Sequence, residues 1–222
     1  MTSGTPERNA FSVLFDASAE PGPLKPHHLT EISLRSGEAL FDQSDFDDKL
    51  YILDAGRLEV SVLSAAGRKL SLNQLEPGAV FGEIAVLAPG PRTARIAALA
   101  PSRLRAIGQK ALRAAIEETP ALAVDLLELA GQRMRWMSQQ MEEQVFMAPT
   151  ARLAAKLLFL MGPDRQVKMS QEQLAHFVGV TREVVSKNLS RWQTEGLVEI
   201  GRGRVTVKDV TGLEDLRDVD LL

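Results

Sequence analysis

Apolar and polar positions alternate in short runs between Leu34 and about Arg105, among them Leu50-Tyr51-Ile52-Leu53, Leu58-Glu59-Val60-Ser61-Val62-Leu63 and Lys69-Leu70-Ser71-Leu72. A period of two marks half-buried strands. Gly37, Gly56, Gly67, Gly78 and Gly82 separate these runs, so the segment predicts an antiparallel barrel or sandwich. From Gln109 the period lengthens to that of a helix, and Pro120 fits the first turn of a long one. Along it Leu122, Leu126, Leu129, Ala130, Met134, Met137, Met141 and Val145 recur at steps of mostly three and four, as one apolar stripe flanked by Trp136. Such a stripe suits a helix packed on its own barrel and equally a helix paired with a second copy.

Ala148-Pro149 breaks the pattern, because proline cannot continue the ladder and pushes its predecessor to an extended form. A new amphipathic run carries Leu153, Lys156, Leu157 and Leu160 and ends before Gly162-Pro163. Ser170-Gln171-Glu172-Gln173 then fits a capping box, opening a helix that carries Leu174, Phe177 and Val178 and stops at Gly179. Thr181 can cap a second helix, running to about Glu195 with Gly196 as its stop. Two short helices joined by a glycine-containing turn form a helix-turn-helix pattern. Leu197-Val198-Glu199-Ile200, Gly201-Arg202-Gly203-Arg204 and Val205-Thr206-Val207 follow as a β-hairpin with a basic tip, the wing of such a domain. The fold class is α+β.

Composition narrows the function. With 222 residues and 45% apolar content the chain can bury a substantial core. No apolar run approaches the roughly 20 residues of a membrane span, and Met1 to Asn9 is polar, unlike a signal peptide. A cytoplasmic protein with no membrane partner is expected. The absence of cysteine excludes disulfides and cysteine-ligated iron–sulfur clusters. His27, His28 and His176 lack metal-ligand spacing, so no metal is expected. No nucleophile–base pair or Walker loop points to an enzyme. The net charge of -3 argues against indiscriminate coating of nucleic acid, yet Arg165 to Lys208 carries an excess of four basic residues.

On the second helix Val185, Leu189 and Trp192 share an anchoring face, while Arg182, Glu183, Ser186, Lys187 and Ser190 fall on faces free to point outward. These are an ordinary solvated face with a Glu183–Lys187 ion pair, or a surface that reads base edges: cations donate to guanine and a carboxylate accepts from cytosine. The latter gives a DNA-facing set of Ser170, Gln171, Thr181, Arg182, Glu183, Ser186 and Lys187, with Arg202 and Arg204 on the wing.

Thr181-Arg182-Glu183-Val184-Val185-Ser186-Lys187 resembles the recognition helix of the CRP/FNR regulators, and Phe81-Gly82-Glu83-Ile84-Ala85 with Pro91-Arg92-Thr93-Ala94 resembles their phosphate-binding cassette. The similarity runs from about Leu34 to Asp209. It implies a cyclic-nucleotide-binding jelly-roll barrel over residues 1–118, a long dimerisation helix over 119–147 and a winged helix-turn-helix over 148–222. It also implies a homodimer on a two-fold symmetric DNA operator, RNA polymerase as a partner, and a cyclic nucleotide as effector. Arg182 and Glu183 match the family's base-reading pair; Lys187 stands where the catabolite activator branch has arginine, and Ser186 matches the oxygen-sensing branch.

In the cassette, Gly82, Glu83, Ile84 and Ala85 would open a short helix toward an anion, Arg92 would supply the countercharge, Thr93 a hydroxyl, and Glu83 would accept from the ribose. The alternative is a structural Arg92–Glu83 ion pair with no nucleotide. Ser44 occupies a usual glycine position. Met137 falls where the cyclic AMP responder has an adenine-contacting threonine, and Ser138 matches the serine after it. The expected effector is cyclic AMP ahead of cyclic GMP or another anionic ligand; a family member that binds DNA without answering to nucleotide is the alternative.

Overall fold

The computed structural model describes residues 29–218; His27, His28 and the polar start of the chain lie outside them. The described chain forms two compact units. One comprises the chain up to Arg68 with Leu72–Arg135, the other Lys69–Ser71 with the chain from Trp136 onward.

The first contains β1 (Thr30–Leu34), β2 (Ala39–Phe41), β3 (Lys49–Leu63), β5 (Val80–Phe81), α1 (Glu83–Leu87), β6 (Arg95–Gly108), α2 (Gln109–Glu118) and the start of α3 (Ala121–Phe146). With β4 (Lys69–Leu75) the strands form one six-stranded sheet in the order β1-β6-β3-β4, β2 adding to β6 and β5 to β3. Strand β3 is buried on both faces, and its side chains alternate between two cores. Tyr51 and Leu53 join Phe41, Phe81, Ile96 and Leu104 in one cluster. Leu50 and Ile52 join Val80, Leu112, Leu122, Leu126 and Leu129 in the other. Period two thus seats α2 and α3 on one side of the sheet and leaves an aromatic interior on the other.

Two sequence expectations need correction. Leu50–Leu53 and Leu58–Leu63 are not separate strands but one 15-residue strand, its register shifting around Ala55 to Leu58. Gly56 sits in that bulge at φ 95°, where a Cβ would lie 2.5 Å from the Pro101 carbonyl oxygen. The glycine lets the strand bend instead of ending it. The helix stripe is likewise two stripes. Leu122, Leu126 and Leu129 are buried against the sheet, whereas Val124, Leu127, Met134, Met137, Met141 and Val145 are exposed.

The second unit holds the end of α3, α4 (Pro149–Leu160), β7 (Gln166–Val167), α5 (Gln171–Val178), α6 (Arg182–Thr194), β8 (Val198–Gly201), β9 (Arg204–Val207) and α7 (Val210–Asp218). Pro149 opens α4 after an extended Ala148. The capping box at Ser170 and Gln173 has both reciprocal bonds, and Gly179 closes α5 in the left-handed conformation. Val185, Leu189 and Trp192 are buried with Leu153, Leu157, Leu174 and Val178. The hairpin β8–β9 forms as expected, and β7, unforeseen, adds a third strand on β9. Arg152, 7% exposed, gathers helix ends: its guanidinium donates to Gln144 and Met147 carbonyls at 3.2 Å and to Val178 at 2.9 Å. Those carbonyls lie at or beside the C-termini of α3 and α5, where backbone acceptors lack helical partners.

Candidate anion pocket and nucleic-acid interface

The loop from Asp42 to Asp48 and the segment around Arg92 are tied by backbone bonds. Ser44 N–H donates to the Arg92 carbonyl at 2.9 Å, and Arg92 N–H to the Asp45 carbonyl at 2.7 Å. Ser44 keeps a left-handed turn, φ 76°, in spite of its side chain. This fixes the base of the Arg92 side chain, which runs inward and is only 5% exposed. Nη2 donates to the Asp47 carboxylate at 2.6 Å and to the Lys49 carbonyl at 2.7 Å; Nη1 donates to the Gly82 carbonyl at 3.2 Å. The guanidinium carbon lies 4.3 Å from the Phe41 ring centroid and 5.4 Å from that of Tyr51. Nε is buried and has no partner among the described residues.

The Tyr51 hydroxyl donates to the same Asp47 carboxylate. Burial alone would push the Asp47 carboxyl up, but the Tyr51 hydroxyl and the Arg92 guanidinium outweigh it and hold it below the ordinary carboxylate value. Burial and the neighbouring carboxylate push the Tyr51 phenol far above its ordinary value. Arg92 and Asp47 therefore stand as a charged pair, with Tyr51 neutral. The Arg92–Glu83 pair weighed from sequence is replaced. Glu83, 4% exposed, has Arg133 of α3 as its cation at 3.7 Å.

Gly82, Glu83, Arg92, Ile84, Ala85 and Thr93 occupy neighbouring segments of this unit, but not equally. Ala85 is buried in the domain, Ile84 is 42% exposed and Thr93 is exposed. Helix α1 has only five residues, so Arg92 supplies the pocket's positive charge. Met137 and Ser138, expected at the base end of the ligand, are exposed on α3 in the other unit. An anionic group fits the donor chemistry. A buried cation with an unpartnered N–H lies beside Gly82, whose φ of 89° leaves room that a Cβ, 2.8 Å from Arg92 Nη1, would take.

The second unit presents the other chemistry. Arg182, Glu183, Ser186, Lys187 and Ser190 line one open surface along α6. Ser170, Gln171, Arg182 and Arg204 line an adjoining cleft with Glu172, Ile200 and Gly203. Lys168, Arg191 and Lys208 are in exposed ion pairs with Asp164, Glu195 and Glu199. Arg182, Lys187, Arg202 and Arg204 form no ion pair among the described residues. The Glu183–Lys187 pair weighed from sequence is absent too. The carboxyl of Glu183 is instead held below its ordinary value by its own backbone N–H and the Thr181 hydroxyl. Thr181 occupies the cap position of α6 without accepting a capping bond through its side chain.

Comparison with known proteins places both units. The cyclic nucleotide-binding domain model matches residues 31–119, and the Crp-like helix-turn-helix domain model matches residues 151–216. The cyclic AMP receptor protein of Thermus thermophilus is 30% identical over 184 residues, covering 81% of this chain and 84% of that protein. The chain belongs to the CRP/FNR family. A CRP-like cAMP-activated global transcriptional regulator of Mycobacterium tuberculosis is 27% identical over 190 residues, covering 82% of this chain and 85% of its own. A solved CRP-family transcriptional regulator, also from Thermus thermophilus, is 27% identical, with a TM-score of 0.70, covering 86% of this chain and 98% of its own. This CRP/FNR chain is thus a transcriptional regulator with a cyclic nucleotide-binding domain and a DNA-binding helix-turn-helix domain.

Sequence reasoning missed Asp47 and Tyr51 in this CRP/FNR regulator. Their one available signal was a density of acids, Asp42, Asp45, Asp47 and Asp48, in a chain whose cassette needs a buried arginine. Gly82→Ala is expected to lower stability by about 2 kcal/mol, through left-handed strain and contact with the Lys49 carbonyl and Arg92. Chemical denaturation of both proteins measures it, and an unchanged midpoint would mean that the cradle has slack.

Proposed function

We propose that this regulator is a cytoplasmic homodimer that binds a two-fold symmetric operator, works with RNA polymerase, and is gated by a cyclic nucleotide, cyclic AMP ahead of cyclic GMP. The observation that carries the ligand half is the buried Arg92 beside Gly82. A phosphodiester leaving water needs a cation and close backbone approach, and this site supplies both. Glu83 is the ribose acceptor in this reading, Thr93 a phosphate donor, and Met137 and Ser138 the residues nearest the base. Cyclic AMP is favoured by the names of the two relatives above. Methionine offers no hydrogen-bond donor to adenine, so base selectivity rests on packing and on Ser138.

The homodimer is supported by the exposed stripe of α3. Val124, Leu127, Met134, Met141 and Val145 follow steps of three and four, with Gly131 and Ser138 completing the alternation. This is the spacing of a paired helical seam. For DNA the support is the set of unpaired cations. Arg182 and Lys187 act in the groove with Glu183 and Ser186, while Ser170, Gln171, Thr181, Arg202 and Arg204 hold the phosphate backbone. Ligand acts by population shift, and only through its differential affinity for two arrangements of the dimer.

One observation favours a second reading, in which DNA binding is independent of nucleotide: Arg92 is already neutralised by Asp47. Calorimetry separates the two. Cyclic AMP is expected to bind the parent protein and not Arg92→Leu, whereas silence in both would leave the second reading. For the DNA half, site selection should return an inverted repeat containing guanine. Arg182→Ala should weaken that site roughly ten-fold or more while leaving non-specific binding nearly intact; equal losses on both DNAs would assign Arg182 to phosphate.

A further inference from the structure

We propose that Asp47 is an internal counter-anion that competes with the ligand's phosphate for Arg92 and so sets the effector concentration this regulator answers to. The inference rests on the reading of the pocket as an anion site and says what opposes the anion there.

Three features of the pair argue for competition rather than simple charge balance. First, Arg92 is sealed: its side chain is 4% exposed, lies against the adjoining Phe41 and Tyr51 rings, and is held at Nη1 and Nη2 by three oxygens. A phosphate can take a place at Nη2 only if one of its acceptors yields. Second, two of the three are backbone carbonyls, of Lys49 and Gly82, fixed by β3 and by the turn into α1. The third, Asp47, lies in the loop between β2 and β3 and is the one that can swing away. Third, Asp47 bonds the guanidinium through Nη2 alone, and Nε stays unpartnered. A guanidinium offers Nε and Nη2 as one edge of parallel donors, suited to two oxygens of an oxyanion. A single carboxylate oxygen on Nη2 leaves the Nε side of that edge empty, and a phosphodiester with two free oxygens can fill both positions.

The Tyr51 hydroxyl completes the latch. It donates to the same Asp47 oxygen that receives Arg92, while its ring stacks on Phe81 at 5.3 Å between centroids. Releasing the carboxylate therefore costs two hydrogen bonds and an ion pair, which the incoming phosphate must replace. Because the carboxylate and the ligand each bring one negative charge, the exchange leaves the pocket's net charge unchanged. The ligand gains geometry on the guanidinium edge rather than a new countercharge.

The test uses the full-length protein. Calorimetry with cyclic AMP and cyclic GMP is run on the parent, Asp47→Asn, Tyr51→Phe and the double variant Asp47→Asn/Arg92→Leu. Asp47→Asn keeps the shape and the Tyr51 contact but removes the competing charge. It is expected to bind at least about ten-fold tighter than the parent, a difference that corresponds to about 1.4 kcal/mol, and Tyr51→Phe should fall between them. Equal or weaker binding by Asp47→Asn overturns the inference while leaving the nucleotide reading intact.

Thermal unfolding with inorganic phosphate gives a readout that does not depend on nucleotide. Phosphate should raise the melting temperature of Asp47→Asn, but not of the parent or the double variant. If no protein binds either nucleotide, the nucleotide reading falls and this shift alone decides: its presence supports competition at Arg92, its absence overturns it. Should Asp47→Asn fail to unfold cooperatively, Tyr51→Phe decides by the same two readouts, and parent-like behaviour in both overturns the inference.

Discussion

A guanidinium taken out of water must be given acceptors for its N–H groups and compensation for its charge, or the fold loses several kcal/mol. At Arg92 that requirement organises the pocket of the first unit. It accounts for the backbone bonds that stitch the loop carrying Asp47 to the Arg92 segment, for the left-handed turn at Ser44, and for the adjoining Phe41 and Tyr51 rings against the guanidinium. It also explains the position of Gly82, which any Cβ would push into the guanidinium. The ligand chemistry proposed for the site is an extension of the same constraint, since the pocket always needs one negative charge beside Arg92 and the question is which group provides it.

The second unit obeys the same rule for its buried cations and leaves several exposed ones unpaired. Its buried cations, Arg152 and Lys156, are engaged: Arg152 with carbonyls through Nε and Nη1, Lys156 with Glu143 at 2.8 Å and Gln140 at 2.7 Å. They hold α3, α4 and α5 together. The cations of α6 and the wing form no ion pairs among the described residues, Arg191 apart, and remain available to phosphate and base edges. The excess basic charge visible in the sequence is therefore divided by structure into cations that neutralise neighbours and cations that do not. In the proposed function only the latter form an electrostatic footprint for DNA.

Legibility followed the range of each interaction. The Ser170–Gln173 box, the Gly179 stop, the Pro149 start and the β8–β9 hairpin were readable because each is decided by residues a few positions apart. The buried face of α6 was readable because Val185, Leu189 and Trp192 recur at steps of three and four. The Arg92–Asp47 pair, 45 positions apart in the chain, carried no such trace, and neither did Glu83 with Arg133. Gly56 misled because glycine at a bulge and glycine at a turn look alike until a partner strand is known. The stripe of α3 misled for a different reason. Its two apolar faces are both spaced at three and four, and a linear count merges them, whereas the sheet buries only Leu122, Leu126 and Leu129.

The function proposed for this regulator is at bottom thermodynamic: the site around Arg92 and the surface of α6 are two ends of one equilibrium. Coupling of this kind is reciprocal and has a measurable size. The most direct measurement is the affinity of the full-length protein for its selected operator, followed by fluorescence anisotropy at fixed salt as cyclic AMP is raised to saturation. The predicted result is a change of about five-fold or more, abolished by Arg92→Leu. Operator affinity that stays the same while calorimetry shows the nucleotide bound would contradict it.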